Sequence, residues 1–273
     1  MFPVIIHRSR RLYHYFSNAI NVLARVAIEM PYQEHVEQLL SARNAVGEER
    51  FVAQQLLELH QAAAQRERVT ILELGVDQGQ STRVFLNAIA DKEHSALVSV
   101  DVRDCSNAAR SGQWTFVQSD SSDTERVFEA AGILKEGIDI LYVDSLHTAD
   151  HVYKEVYGYY PYLNKGAVIF FDDIDSAPYM MGQRKDSVST EIANRDILSL
   201  VESIFMANLK DLDLTIFRGS TGLARLAKRS EKGATLAQPK YCKKRNNRRA
   251  WQVIYRLIGK TSYRHGVSTP NPA

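Results

Sequence analysis

Acidic side chains follow two short apolar runs in the middle of the chain. Asp144 follows residues 138–143, and Asp172 and Asp173 follow residues 166–171. Such runs are typical of strands buried on both faces of a parallel sheet, whose carboxyl ends lie at one edge. Three carboxylates at one edge repel one another unless a cation lies among them. The pattern therefore predicts a divalent-metal site formed by Asp144, Asp172 and Asp173.

A histidine lies close to the first of these acids. His147 follows Asp144 by three residues, which makes it a candidate general base beside the metal. A neutral imidazole, with an ordinary pKa of about 6.5, can accept a proton near neutral pH. His151 is an alternative base, and Asp175 is an alternative ligand in place of Asp173.

A turn with two glycines joins an earlier apolar run to a helical pattern. Gly75 and Gly79 allow a tight turn and a close approach of the backbone to a ligand, and Glu73 and Asp77 lie on either side of Gly75. A dinucleotide site would have the spacing GxGxxG, with a pyrophosphate at the helix N-terminus. Acids beside the glycine disfavour a pyrophosphate, but they suit a ligand with an ammonium group and hydroxyls.

Two further acids lie at the ends of predicted strands. Asp101 follows Gly75 by 26 residues, at a position where an acid commonly binds a ribose diol. Asp120, after the next strand, can accept a hydrogen bond from an adenine amino group. The two acids therefore extend the candidate cofactor site along the same edge of the sheet.

Together these residues resemble the S-adenosylmethionine site of class I methyltransferases. The resemblance covers about residues 69–227 and rests on the E-x-G-x-x-x-G turn, the acid after strand two, the pair after strand three and a closing hairpin at 222–226. It implies a Rossmann-like, seven-stranded, mostly parallel sheet with one antiparallel strand. The cofactor-binding residues that it implies are Glu73, Gly75, Asp77, Gly79, Ser81, Asp101, Ser119 and Asp120.

The acids of the metal site resemble those of magnesium-dependent O-methyltransferases of the catechol and macrolide-sugar types. The sugar-modifying members have a histidine at the position of His147, whereas catechol enzymes have a lysine. The resemblance implies a Mg²⁺-assisted methyl transfer to a hydroxyl of a sugar, glycan or glycosylated metabolite. The ion lowers the pKa of the alcohol and His147 removes its proton. A catechol or phenol is the nearest alternative acceptor.

Apolar periodicity predicts an α/β fold with a doubly wound sheet. Residues 9–64 have a helical pattern, and the remainder alternates between strands and helices. We predict an N-terminal helical cap (1–64), a methyltransferase domain (65–230) and a basic C-terminal tail with an amphipathic helix (231–273). The predicted strands are 69–74, 97–100, 115–117, 138–143, 166–171, 212–217 and 222–227, and the main helices are 81–90, 124–134, 148–163 and 189–206.

The distribution of charge separates the tail from the body. Residues 228–273 contain twelve of the 34 basic residues and only one of the 32 acidic residues. An acidic body with a basic tail favours an anionic membrane surface or polyanion as a partner of residues 240–260, and it does not favour a nucleic-acid-binding core. The apolar stripe of the tail can instead pack against the N-terminal helices or a second subunit in a homo-oligomer.

The remaining bulk properties predict a cytoplasmic protein. The alternative is a cytoplasmic protein whose tail binds the membrane surface. Cys105 and Cys242 belong to no metal or disulfide pattern, and no apolar run is long enough to span a bilayer. Two other function classes stay open. One is an NAD-dependent oxidoreductase, and the other is a non-catalytic binding protein that has kept the methyltransferase fold.

Overall fold

A seven-stranded sheet with helices on both faces forms the body of the protein. The computed structural model describes residues 31–180 and 188–240. The predicted helices at 9–30 and the basic tail beyond residue 240 lie outside these residues, so the proposed membrane, polyanion and subunit contacts stay predictions. Within the described residues, no helix is both long and apolar enough to cross a bilayer.

Strands and helices alternate along the chain, as predicted. The strands are β1 (Thr70–Leu74), β2 (Ala96–Asp101), β3 (Trp114–Gln118), β4 (Ile138–Val143), β5 (Leu163–Asp172), β6 (Leu212–Phe217) and β7 (Leu223–Lys228). The helices are α1 (Gln33–Ala42), α2 (Glu48–Ala64), α3 (Gln80–Ile89), α4 (Thr124–Ala130), α5 (Ala149–Tyr159), α6 (Ala177–Met180) and α7 (Val188–Ala207).

The strand order is β3-β2-β1-β4-β5-β7-β6. The first five strands are parallel, and β7 pairs antiparallel with both β5 and β6. The closing hairpin therefore inserts an antiparallel strand between β5 and β6, and the predicted doubly wound, mostly parallel sheet is confirmed.

Two helices end earlier than the sequence pattern predicts. The helix predicted at 124–134 ends at Ala130 and continues as a 3-10 turn at Gly132–Lys135, and the helix predicted at 148–163 ends at Tyr159 before a 3-10 turn that contains Pro161. Glycine and proline are poor interior residues for an α-helix, because glycine costs backbone entropy and proline lacks an N–H donor.

Alternation along the strands divides the core into two layers. Leu72, Leu141 and Ile169 face the layer beneath α4, α5 and α7, whereas Ile71, Ile140 and Phe170 face the layer beneath α2 and α3. Side chains two residues apart share a face of a strand, so each layer receives alternate residues of the same apolar run. This explains why the central strands are predominantly apolar.

Candidate active site

The glycine turn between β1 and α3 is shaped by close contact with the loop after β4. Gly75 has φ +96°, and a Cβ at this position would lie 1.9 Å from the carbonyl oxygen of Asp144. The Asp144 N–H also donates to the carbonyl of Leu74 at 2.8 Å. Gly79, with φ +73°, is the N-cap of α3. The predicted cofactor turn and the predicted metal loop are therefore adjacent.

Glu73 is buried beneath this turn and bonded to three hydroxyls. Its carboxylate accepts hydrogen bonds from Ser81 Oγ at 2.5 Å, Thr82 Oγ1 at 2.7 Å and Ser99 Oγ at 2.5 Å. Burial raises the pKa of Glu73 to about 7, although the three hydroxyls oppose the shift. These contacts show that Glu73 and Ser81 hold the start of α3 against the sheet. Their contact with a cofactor stays a prediction.

Asp101, at the end of β2, braces the same turn from the other side. Its carboxylate accepts hydrogen bonds from the backbone N–H groups of Val76 at 3.0 Å, Asp77 at 3.3 Å and Arg103 at 2.9 Å. Burial alone would raise the pKa of Asp101, but these donors and the charge of Arg103 lower it. Asp101 is thus an ionised acid at the edge of the turn, and its contact with ribose hydroxyls stays a prediction.

Arg103 was not predicted from the sequence. Its guanidinium donates to Asp77 Oδ1 at 3.0 Å, and its Nε lies 3.6 Å from Asp101 Oδ1. Both contacts are at the surface, where an ion pair contributes little to stability. Arg103 neutralises part of the acidic charge that surrounds the glycine turn.

The Ser119-Asp120 pair lies at the carboxyl end of β3, next to Asp101. The Ser119 N–H donates to the carbonyl of Asp101 at 3.0 Å, and Asp120 Oδ1 accepts from the backbone N–H and the hydroxyl of Ser122 at 2.8 Å each. Hydrogen bonds from the Ser122 N–H and hydroxyl, with the charge of His151, lower the pKa of Asp120 against the effect of burial. The structure therefore brings the predicted cofactor residues to the carboxyl edge of the sheet.

The metal-site acids lie at the ends of the adjacent strands β4 and β5. Tyr142 Oη, on β4, lies 3.1 Å from Asp144 Oδ2 and 2.7 Å from Asp172 Oδ2. Burial and the charges of Asp144 and Asp173 raise the pKa of Asp172 to about 8. Burial also raises the pKa of Asp144. Crowded carboxylates of this kind favour a cation between them.

Asp173 is directed towards the site by its backbone conformation. It has φ +54°, a left-handed conformation that is uncommon for a residue other than glycine. This conformation ends β5, so Asp173 does not continue the alternation that would direct it away from Asp172. Asp173 Oδ2 lies 3.5 Å from His147 Nε2. Strained residues of this type often occur at functional sites.

His147 lies between two of the three acids. Its Nε2 is 3.2 Å from Asp144 Oδ1, and its side chain is about one-third exposed. Burial lowers the pKa of His147, but the hydrogen bond to Asp144 and the charges of the acids outweigh it and raise the pKa to about 9. The prediction that Asp144 and His147 lie together is therefore met by the geometry, whereas their chemical roles stay predictions.

The two alternatives left open by the sequence have other partners. His151 Nε2 lies 3.2 Å from the buried Glu155 Oε1 and 3.0 Å from Ser121 Oγ, which places this imidazole in a separate polar cluster. Asp175 Oδ1 accepts from the backbone N–H of Ala177 at 2.9 Å. His147, by contrast, lies beside Asp144 and Asp173, and which of these residues acts as base or ligand stays a prediction.

The donor set fits a hard divalent cation, because carboxylate oxygens are the ligands that Mg²⁺ prefers. Among the described residues, however, no group of three or more acids, histidines or cysteines is close enough to form a complete coordination set. The hydroxyl of Tyr142 and the imidazole of His147 lie between the carboxylates. As placed, the three carboxylates therefore do not form a complete set, and at least one of them would have to rotate towards an ion.

A small cavity of about 110 Å³ opens beside the acids and beneath α2. Asp144, Asp172 and Tyr142 line one side, and Gln55, Gln80 and Ser81 add further polar atoms. The opposite wall is apolar and consists of Val52, Leu56, Leu59 and Leu223. The helix α2, which belongs to the predicted N-terminal cap, thus lines the edge at which the acids lie.

A family model for a methyltransferase domain matches residues 72–174 of the chain. The matched segment begins in β1 and includes the glycine turn, Asp101, Asp120, Asp144, His147, Asp172 and Asp173. No curated protein sequence matches the chain.

Solved structures of similar fold extend the likeness beyond this segment. They include cofactor-bound Rv0187 from MTB, with 18% identity over 79% of this chain and 97% of that chain and a TM-score of 0.51. The O-methyltransferase TomG from Streptomyces achromogenes, in complex with SAM, has 16% identity over 76% and 95% of the chains and a TM-score of 0.50.

A third similar structure is the MycE methyltransferase of the mycinamycin biosynthetic pathway in complex with Mg, SAH and mycinamycin VI. It has 17% identity over 77% of this chain and 57% of that chain, with a TM-score of 0.50. The chain spans only 51% and 57% of the MycE chains in the first two structures that it matches. At these identities the three likenesses establish the fold.

Proposed function

We propose that this chain, which contains a class I S-adenosylmethionine-dependent methyltransferase domain, is a divalent-metal-assisted O-methyltransferase. One observation carries the proposal. Asp144, Asp172, Asp173 and His147 lie together at the carboxyl edge of the sheet, and the carbonyl of Asp144 is packed against Gly75 of the predicted cofactor turn. A methyl donor and a metal-bound acceptor at these two places would be neighbours.

The groups that would bind here supply the chemistry that side chains lack. S-adenosylmethionine carries a transferable methyl group, and Mg²⁺ polarises a hydroxyl oxygen and lowers its pKa. The acids Asp144, Asp172 and Asp173 would hold the ion, and Glu73, Gly75, Asp77, Gly79, Ser81, Asp101, Ser119 and Asp120 would form the cofactor site.

His147 is the base in this proposal. A dication held by the acids would offset the negative charges that raise the pKa of His147 to about 9, so the imidazole would be neutral and able to accept a proton. Its imidazole is half-buried and bonded to Asp144 Oδ1, so the ring has a fixed orientation at the mouth of the site. A positioned base contributes about 10²–10⁴-fold to the rate of a reaction with proton transfer. Alignment of the acceptor oxygen with the methyl carbon supplies the rest of the catalysis, because in-line displacement depends strongly on geometry.

The acceptor in this proposal is a hydroxyl of a sugar, glycan or glycosylated metabolite. The support is the Asp-x-x-His motif at residues 144–147. A phenol is the second candidate, and the apolar wall of Val52, Leu56, Leu59 and Leu223 beside the acids favours it, because an aromatic ring would bury its faces there.

A screen for methyl uptake tests the proposal. The full chain is incubated with isotopically labelled S-adenosylmethionine, Mg²⁺ and separate panels of sugars, glycosides and catechols, and labelled products are identified by mass spectrometry. We expect product in one panel, loss of product with EDTA and recovery with added Mg²⁺. Turnover that EDTA leaves unchanged would contradict the metal, and binding of NAD in preference to S-adenosylmethionine would contradict the cofactor.

A further inference from the structure

Tyr142 is a buried phenol whose hydroxyl lies between two predicted metal ligands. The residue is 2% exposed, and its ring packs edge-on against Phe85 with the ring centroids 6.0 Å apart. Its hydroxyl lies 3.1 Å from Asp144 Oδ2 and 2.7 Å from Asp172 Oδ2. A buried hydroxyl that reaches two carboxylates is not explained by packing of the ring.

The register of the sheet brings the hydroxyl to this position. Tyr142 on β4 is paired with Phe170 on β5, and Asp144 and Asp172 follow these residues by two positions on their strands. Residues two apart lie on the same face of a strand. The ring of Tyr142 therefore lies on the same face of the sheet as both acids, and its hydroxyl contacts both carboxylates.

The contacts engage one oxygen of each carboxylate. Both contacts are to Oδ2 atoms, and Asp144 Oδ1 remains directed towards His147 Nε2 at 3.2 Å. A phenol has one proton, so it donates to one carboxylate at a time while its ring keeps the oxygen between them. Asp172 is restrained further by the N–H of Asp173, which donates to Oδ1 at 2.8 Å.

We propose that Tyr142 is a positioning residue that orients Asp144 and Asp172 for a divalent cation. The inference rests on the proposed metal site and adds to it a residue that has no charge and is not itself a ligand. Groups that hydrogen-bond to metal ligands typically change the affinity for the ion by about 10–100-fold when they are removed. The expected consequence of losing the hydroxyl is therefore a weaker metal site in a protein with an intact cofactor turn.

The variant Tyr142→Phe tests this role, because it keeps the ring against Phe85 and removes only the hydroxyl. Mn²⁺ affinity is measured on metal-free protein by the loss of the electron paramagnetic resonance signal of free Mn²⁺. S-adenosylhomocysteine affinity is measured by calorimetry. We expect a Kd for Mn²⁺ that is raised about tenfold and a Kd for S-adenosylhomocysteine that is unchanged.

Tyr159→Phe is the matched control. Tyr159 is also fully buried, and its hydroxyl donates to the carbonyl of Ser121 at 2.7 Å, away from the three acids. We expect this variant to bind Mn²⁺ with the wild-type affinity. If Tyr142→Phe is unstable without ligand, the Mn²⁺ titrations of all three proteins are made with saturating S-adenosylhomocysteine, since a ligand that binds only the folded protein stabilises it.

The outcomes separate this inference from the proposed function. If the wild-type protein and Tyr142→Phe bind Mn²⁺ equally well, the positioning role is wrong and the metal site stands. If Tyr159→Phe weakens Mn²⁺ binding as much as Tyr142→Phe does, the effect is general and the positioning role is again wrong. If the wild-type protein binds no Mn²⁺, the proposed metal site fails, and the inference fails with it.

Discussion

At the scale of single residues, the site depends on acids that the protein brings close together although they repel. Asp144, Asp172 and Asp173 come from the ends of two neighbouring strands, and Tyr142 and His147 separate their oxygens. The cost of this arrangement is visible in the raised pKa values of Asp144 and Asp172. Groups kept in such an environment are typical of functional sites.

Removal of one of these acids provides the first prediction. We expect Asp144→Asn to lower the rate of methyl transfer by about 10²–10⁴-fold, because the variant loses a metal ligand and the partner of His147. The affinity for S-adenosylhomocysteine should stay unchanged. Rates are compared at saturating acceptor and Mg²⁺. Asp150→Asn, an exposed acid at the start of α5, is the control and should keep the wild-type rate.

At the scale of the elements, the turns and helix ends decide how the site is assembled. Gly75 allows the backbone of the cofactor turn to touch the loop after β4, and Glu73 attaches the start of α3 to the sheet through three hydroxyls. Lys92, just after α3, holds the C-terminal end of α2. These contacts fix the positions of α2 and α3 relative to the sheet.

Replacement of Gly75 by alanine should damage both stability and cofactor binding. The new Cβ would lie 1.9 Å from the carbonyl oxygen of Asp144, whereas a Cβ at Gly47, which has φ +105°, would meet nothing within 4 Å. We expect Gly47→Ala to cost about 1–3 kcal/mol, from backbone strain alone, because φ +105° and ψ −155° is a conformation adopted almost only by glycine. Gly75→Ala should cost about 1–3 kcal/mol more, from the clash.

Chemical denaturation and binding of S-adenosylhomocysteine measure the two effects of this substitution. Equal loss of stability in the two alanine variants would contradict a close contact between the cofactor turn and the loop after β4.

The end of α2 gives a prediction about stability alone. Lys92 Nζ donates to the carbonyls of Ala63, Ala64 and Arg66 at 2.7–2.8 Å, which satisfies acceptors that the helix leaves unpaired. We expect Lys92→Met to lower the free energy of unfolding by about 2 kcal/mol, since hydrogen bonds from a charged donor are lost. Lys154→Met, at an exposed position on α5, should change it little. Urea denaturation that gives the same midpoint for both variants would contradict the capping role.

At the scale of the whole molecule, a sheet that is buried on both faces is accessible to ligands mainly at its carboxyl edge. The helices α2 and α3 cover one face and α4, α5 and α7 cover the other, so polar side chains of the central strands reach solvent mainly at the carboxyl edge. Glu73 is an acid buried within the sheet, and its protonation is therefore linked to global unfolding.

The pH dependence of global stability follows from this buried acid. The pKa of Glu73 is raised from 4.5 to about 7 in the folded protein, so the folded state binds this proton more tightly than the unfolded state does. The stabilisation is complete below about pH 4.5 and is lost as the pH rises to about 7. The full effect is at most about 3 kcal/mol.

The contribution of Glu73 is measured by comparison of two variants. The unfolding free energies of Glu73→Gln and of the wild type are determined from pH 4 to pH 8. We expect the variant to become more stable relative to the wild type as the pH rises through this window. Glu67→Gln, an exposed acid outside the sheet, should show no such change. A constant difference between Glu73→Gln and the wild type would show that folding does not change the pKa of Glu73.

The sequence by itself determined the order of the elements and the acids at the strand ends. A strand that is buried on both faces is mostly apolar, so an acid that follows an apolar run indicates where the strand ends, and this can be read from local residues. The E-x-G-x-x-x-G turn, Asp101, Asp144, Asp172 and Asp173 were found in this way. Glu73 and Asp139, however, are acids within the strands β1 and β4. The helix ends were less certain, because a glycine or a proline near the end of a helical pattern shifts the boundary by several residues.

The tertiary structure alone decided which side chains meet. The role of Tyr142 depends on the register between β4 and β5, and that of Arg103 depends on the approach of the loop after β2 to the glycine turn. The contact of His151 with Glu155, one turn further along α5, likewise depends on packing. These contacts join residues whose distance in space is set by packing, and local periodicity does not contain that distance. A tyrosine two residues before Asp144 was the one local signal, since strand alternation places it on the face of the acids.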